Sequence, residues 1–430
     1  MGAALATALL ALPSLAPAQS AEPRAIQFGF EQRVRNENWN NICDYSDAAN
    51  DQRNQIRFRT RFWASVPVNS NVSLTAGLDS ETNKKVGTDL VADEIMFETL
   101  YVDVKRLFTP KLSLRAGRQD IARGESFILG DATPWDGSRS NYLNAADLTL
   151  RALGSTFEFM AISDPSRDHY LPRIHDQHRL LTEWNEQAAG LYWTKPVTDQ
   201  MQAEGYYFYK TETHDYRSLT DPRRQPDKRF HTWGGRVSGR MRSHWTYAGE
   251  WAWQAGRQGA SDVRAFGGYA TLKRGFDVRW RPYVLAGYTA MSGDDPRTAT
   301  VENWDPVFAR GAKWGDLLLY SMIPERGAGY LTNAKMPQFE AGFSPFKKLA
   351  VRTTYYHAGA FHPNGGDWRF GSGTRRGELF QIRGDLTVNQ HWRGHVDWES
   401  IHSGDFYTEK PKAYFLRFEV IFQFRGKVAI

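Results

Sequence analysis

Between Asn54 and Ala64 the chain alternates with a period of two, and arginine occupies positions 57, 59 and 61. Successive side chains of a strand point to opposite faces. One face therefore carries Arg57, Arg59 and Arg61, and the other carries Ile56, Phe58, Thr60, Phe62 and Ala64. Two kinds of fold accept such a strand. In a soluble sandwich the apolar face enters a core and the arginines meet bulk water. In an outer-membrane barrel the apolar face meets lipid and the arginines line a wet lumen.

The rest of the chain selects the barrel. No Pro/Ser-rich tract, charge block or low-complexity segment divides the 430 residues. Mean hydropathy is −0.57, and a helical span needs about 20 consecutive apolar residues. The long apolar run, Ala3 to Leu15, is followed by Ala16-Pro17-Ala18. It has the form of a signal-peptide core with a small-residue cleavage site. Residues 1–18 are thus expected to be removed on export, leaving 19–430 as one domain. A positive segment before the run is missing, and Pro13 and Pro17 argue against a buried helix. Cys43 is the sole cysteine, which excludes an intrachain disulfide or a cysteine metal cluster. Asn41-Ile42 precede it instead of a lipid-anchor motif. The net charge of +6, from 54 basic and 48 acidic residues, does not call for nucleic acid as a partner.

Alternating segments bounded by turn residues fall at 26–35, 54–66, 72–81, 94–106, 111–119, 143–151, 155–162, 187–195 and 201–211. Nine more follow at 230–240, 244–255, 262–273, 278–292, 335–344, 349–359, 377–388, 392–401 and 413–424. Short turns at 67–70, 107–110, 196–199, 241–243, 274–277, 345–348 and 389–391 alternate with long connections at 36–53, 82–93, 120–142, 163–186, 212–229, 293–334, 360–376 and 402–412. Tight periplasmic turns and long extracellular loops mark a bacterial barrel. The expected fold is all-β: an eighteen-stranded antiparallel transmembrane barrel in the outer membrane, with outer-membrane lipid around it and both termini in the periplasm. In the last segment Tyr414, Leu416, Phe418, Val420, Phe422 and Phe424 form one apolar face. Trp245, Tyr247, Trp251 and Trp253 fit an aromatic girdle.

Turning the apolar parity outward gives an inward set of Arg33, Arg35, Arg57, Arg59, Arg61, Tyr101, Asp103, Arg115, Glu204, Lys210, Arg236, Glu250, Arg279 and Arg281. Glu340, Arg352, Gln381, Arg383, Asp385, Arg393, His395, Asp397, Glu399, Arg417 and Glu419 complete it. Rings of arginine select anions in pores, and guanidinium binds carboxylate bidentately. The same charges can instead pair across strands and hold the wet interior together; three cations on one strand face repel unless anions sit opposite. Eighteen strands give a backbone diameter of about 35 Å, so loops are expected to fold in. The 293–334 connection, with Trp304, Phe308, Arg310, Lys313, Trp314 and Tyr320, is the candidate constriction loop.

The segment Leu114-Arg115-Ala116-Gly117-Arg118-Gln119, the stretch from Trp304 to Trp314 and the downstream Gly329-Tyr330-Leu331-Thr332-Asn333 resemble the alginate export porins. The similarity extends over nearly the whole mature chain. It implies a monomeric eighteen-stranded barrel whose arginine-rich constriction passes polymannuronate or a related acidic polysaccharide. It also implies that Arg115 and Arg118 sit at or near that constriction. Arg118 has lipid-facing parity, so a bulge or strand end would have to turn it inward. After the glutamine this chain departs from the family pattern, reading Asp120-Ile121-Ala122-Arg123-Gly124. Export would need periplasmic secretion components; catabolic uptake would need neighbouring lyases.

No GxSxG, HExxH, Walker loop or CxxC is present, and no serine pairs with His395, so an enzyme and a cofactor are not expected. Asp294-Asp295 and Asp44/Asp47/Asp51 offer oxygen ligands for Ca²⁺, but read more simply as solvated acidic loops, and no metal is expected. The leading function is a channel for anionic polysaccharide or oligosaccharide. The alternatives are a general or small-solute uptake porin and a plugged barrel used as an adhesin or structural element.

Overall fold

The computed structural model describes residues 24–42, 45–47, 52–85, 87–90, 94–131, 142–178, 184–213, 226–309, 314–326, 331–364 and 369–430. Eighteen antiparallel strands close into a barrel. They are β1 (Ala25–Asn40), β2 (Arg53–Pro67), β3 (Val72–Lys85), β4 (Ile95–Val104), β5 (Leu112–Gln119), β6 (Leu143–Ala152), β7 (Ser155–Asp164), β8 (Asn185–Thr198) and β9 (Met201–Thr213). The second half comprises β10 (Lys228–Met241), β11 (Trp245–Gln258), β12 (Ser261–Gly275), β13 (Tyr283–Met291), β14 (Ala334–Phe346), β15 (Leu349–Gly359), β16 (Arg375–Thr387), β17 (Trp392–Ser403) and β18 (Lys412–Ala429). Each strand pairs with its sequence neighbours, and β18 pairs with β1 from Ala25↔Ala429 to Asn40↔Tyr414. The expected end at Phe424 is therefore short: residues 425–429 continue the seam, and Ile430 N donates to Arg24 O at 2.7 Å.

Period-two patterning explains the wall. Val34, Phe62, Val102, Trp233, Trp253, Phe339, Phe418 and Val420 are large apolar side chains on the exposed outer face. Their sequence neighbours Arg33, Arg35, Arg417 and Glu419 are buried on the other. Closure removes the unpaired sheet edges that lipid cannot satisfy.

Three local features depart from the sequence reading. The expected turn at 274–277 is longer, because β13 starts only at Tyr283. Trp280 and Arg281 take left-handed φ values of 70° and 44°, Arg281 N bonds Val278 O and Phe276 N bonds Pro282 O. Arg279 and Arg281 consequently lie in an exposed turn, not on the lumen wall. The β11–β12 connection is only Gly259-Ala260, an interruption of the long-loop rhythm; Gly259 has φ +57°, which a two-residue hairpin favours. Finally, β5 leaves the wall at Gln119, and the two-residue strand Arg173–Ile174 pairs with Met96 and Ile95 of β4 in its place.

Two extracellular connections fold into the barrel. Ile121, Phe127, Ile128 and Leu129 of one, and Trp304, Val307, Phe308, Trp314, Leu317 and Leu318 of the other, share an apolar cluster with Tyr269, Leu143 and Phe415 of the wall. The longer connection carries α1 (Asp316–Arg326). No helix among the described residues is long and apolar enough to cross a membrane.

Candidate functional site: inward charges and inward loops

The ladder arginines meet carboxylates on both sides. Arg33 Nη2 donates to Glu81 Oε2 at 2.9 Å, Arg57 bridges Glu37 and Glu81 at 2.9 Å each, and Arg59 pairs with Glu31 at 2.7 Å. Arg35 reaches Glu419 and Glu37. Arg417 bonds Glu37 and Asp316, both at 2.8 Å. All of these side chains except the partly buried Glu31 are buried. The strand register puts Arg33 beside Arg59 and Arg35 beside Arg57, and directly opposed like charges destabilise a sheet. The interleaved carboxylates supply the compensation. Glu31 and Glu37 share the parity of Arg33, but only Glu31 falls in the expected strand; Glu37 falls in the expected 36–53 connection, and it joins the wall because β1 runs on to Asn40. Parity does not give Glu98, the partner of Arg61: a bulge between Gly77 and Leu78 shifts the β3–β4 register past it and re-aims the side chain.

Arg115 pairs with Asp103 at 2.8 Å and lies over Tyr101 at 4.4 Å, yet it stays 41% exposed. Arg352 is 38% exposed and lies 3.7 Å from Asp385; Arg393 is 45% exposed and 3.3 Å from Glu31. Arg383 bonds Asp385 at 2.9 Å and Asp397 at 3.2 Å.

Arg118 is not turned inward. It stays on the outward side opposite Asn144 and is buried under the 164–178 segment. Its guanidinium donates to Asp168 Oδ1 (2.7 Å), Asn144 Oδ1 (3.0 Å) and Phe97 O (2.8 Å), and covers the Tyr142 ring at 3.7 Å. Burial would raise the Asp168 carboxyl; the hydrogen bond and charge of Arg118 outweigh it and hold the group below the usual aspartate range. Gly117, at φ +130°, lets the chain pass here, since a Cβ would sit 2.2 Å from Leu100 O.

The loops are anchored to the wall by polar contacts. Lys210 Nζ donates to Glu186, Glu212 and the Val307 carbonyl, and Lys228 pairs with Asp305 at 3.0 Å. Trp304 stacks on Phe127 with ring centroids 5.3 Å apart. Glu399 accepts the amides of Asp316 and Leu317 at 2.9 Å each, capping the start of α1. Trp314 Nε1 bonds Thr289 Oγ1. Arg310 and Lys313 lie outside the described residues. Around Arg236, the Tyr192, Tyr206 and Tyr269 hydroxyls and the Glu204 and Glu250 carboxylates form one bonded cluster.

Asp316, Asp397 and Glu399 can bring oxygens within 4.8 Å of one another. Arg417, Gln381, Arg383 and two backbone amides already engage them. Asp294 accepts the Glu302 and Asn303 amides, and Asp295 pairs with Arg297; both order their own loop. Asp44 and Asp51 lie outside the described residues.

Cavities remain beneath the inward loops, and two of them bear cations in number. One, of about 760 Å³, runs from the β8–β9 turn to Trp314 and is lined by Arg236, Arg240, Lys273, Tyr269 and Tyr356 among others. The second, of about 450 Å³, is lined by Lys105, Arg115, Arg123 and Arg151 with Asp103, Asp147 and Glu158.

A closed barrel with polar, loop-narrowed cavities inside is the architecture of an outer-membrane channel. Solved structures share the fold. Pseudomonas aeruginosa OccK5 (OpdH) superposes with a TM-score of 0.58 at 12% identity, covering 93% of this chain and 98% of that one. The P. aeruginosa outer membrane protein opdK gives 0.59 at 10%, covering 93% and 99%. OccK2 (OpdF) from the same organism, solved with glucuronate, gives 0.58 at 11%, covering 93% and 98%. No curated protein matches the sequence. Residues 24–420 match the model of the alginate export family, and the chain belongs to that family. It is a channel of the outer membrane.

Proposed function

We propose that the channel passes anionic saccharides carrying uronic acids. The observation that carries this reading is the 760 Å³ cavity on the periplasmic side of the loops. Its Arg240 and Lys273 have no ion-pair partner among the described residues, although Lys273 lies over the Tyr283 ring at 3.6 Å. They sit among hydroxyl and amide groups, the rings of Trp314, Tyr269 and Tyr356, and the carboxylates of Glu125 and Asp199, of which Glu125 already pairs with Arg236. Cations there attract a carboxylate, and aromatic faces suit the apolar side of a sugar ring. The buried ladder is already neutralised by its carboxylates, so the anion preference rests on the exposed cations Arg240 and Arg393 and the partly exposed Arg115, Lys273 and Arg352. The test is reversal potential and current block in planar bilayers with oligoglucuronate and oligomannuronate. The reading requires anion preference and block, both reduced in Arg240→Gln/Lys273→Gln. Cation preference without block would refute it.

A second reading is uptake of small acids. The apolar loop cluster occupies the middle of the barrel, and the cavities left are of the size that holds small ligands. Liposome swelling with monomeric glucuronate but not with its oligomers would favour this second reading.

A further inference from the structure

We propose that the outward face of β10–β12, at the extracellular rim, binds the phosphate groups of an outer-leaflet glycolipid. The register builds this face row by row. Tyr207, Trp233, Trp253 and Phe266 lie side by side across four strands. The next row outward is Tyr209, His231, Ala255 and Arg264, and the one beyond it is Thr211, Arg229, Arg257 and Asp262. Aromatic rows of this kind mark the membrane interface. Two residues of strand advance about 6.8 Å, which places the cationic rows at the height of lipid headgroups.

The placement of these charges has no explanation inside the fold. Arg229 stands directly opposite Arg257, an arrangement that destabilises a sheet unless an anion joins the two. Arg229, His231, Arg257 and Arg264 are all exposed. Arg229 and Arg264 have no ion-pair partner among the described residues. Arg257 lies 3.4 Å from Asp262, itself half exposed, and Asp227 is a further carboxylate at this rim among the described residues. Ala255, between His231 and Arg264, leaves a notch in the cationic surface. The two-residue Gly259-Ala260 hairpin ends the wall here, where most extracellular connections are longer. These side chains point away from the lumen, so a substrate in transit does not meet them. Guanidinium forks match phosphate oxygens bidentately, and outer-leaflet lipid supplies phosphate at this depth.

The experiment compares the detergent-solubilised full chain with Arg229→Gln/Arg257→Gln/Arg264→Gln, using native mass spectrometry and a titration in mixed micelles. The probes are diphosphoryl lipid A, the same lipid without phosphates, and inorganic phosphate. The wild type should prefer the phosphorylated lipid by roughly tenfold or more, lose most of that preference in high salt, and lose it in the triple variant. Equal binding of both lipids by the wild type, or an unchanged preference in a heat-modifiable triple variant, would overturn the proposal. Inorganic phosphate displacing the lipid at equal concentration would also overturn it, identifying a simple anion site instead. Should the triple variant fail to fold, the wild-type comparison of the two lipids decides.

Discussion

Two arginines illustrate how burial decides what a charge does. Arg59 is buried and paired with Glu31 at 2.7 Å, whereas Arg115 keeps 41% of its side chain exposed beside Asp103. Removing one partner of a buried pair strands the other, at about 3–5 kcal/mol; an exposed pair contributes about 0–1 kcal/mol. Arg59→Gln should therefore lower the barrel's denaturation midpoint and leave ion selectivity nearly unchanged. Arg115→Gln should do the reverse. Measuring both quantities on both variants checks the division, and a selectivity loss in Arg59→Gln with full stability would reverse it. Arg118 gives a second expectation. Because Asp168 is held below its ordinary range, its pair with Arg118 stabilises the 164–178 segment fully above that range. The stabilisation is lost as pH falls through the depressed value, below the ordinary aspartate pKa of about 3.9. Protease cleavage in this segment should rise on acidification, and Asp168→Asn should show raised cleavage already at neutral pH.

At the scale of elements, the inward loops are the part that narrows the barrel, and Trp304 is their packing centre. It lies on Phe127 and against Gly267 of β12. Trp304→Ala should loosen the loop and raise single-channel conductance or its noise, with the barrel still heat-modifiable on gels; an unchanged conductance would place the constriction elsewhere. The strands were legible in the sequence because lipid imposes one period on every one of them. Leu349–Gly359 falls on the expected boundaries, and most others differ by a few residues at the ends. The loops obey no such period. Ile121 and Phe127–Leu129 read as an ordinary connection, because what buries them is the distant Trp304 and Phe308. Arg118 keeps the outward side that its parity gives it, against the constriction implied by the family resemblance; what parity does not announce is its cover, which comes from a segment some fifty residues later. Arg279 was misplaced because the left-handed turn at Trp280 and Arg281 has no marker stronger than Pro282.

At the scale of the whole molecule, the exposed cations act through solvent and the buried ladder does not. Anion preference should fall as salt rises, because the screening length shrinks from about 10 Å at 0.1 M to about 3 Å at 1 M. Stability of the buried network should change little over the same range. Reversal potentials and unfolding midpoints on one salt series test this, and parallel loss of both would show that the network is wetter than its burial indicates. The seam carries a different implication. Arg24 and Ile430 are hydrogen-bonded neighbours, so the wall has no privileged starting strand. A glycine linker joining these two residues, with new ends opened at Gly259-Ala260, would give a circular permutant with every strand pairing intact, separating the order of synthesis from the order of the wall.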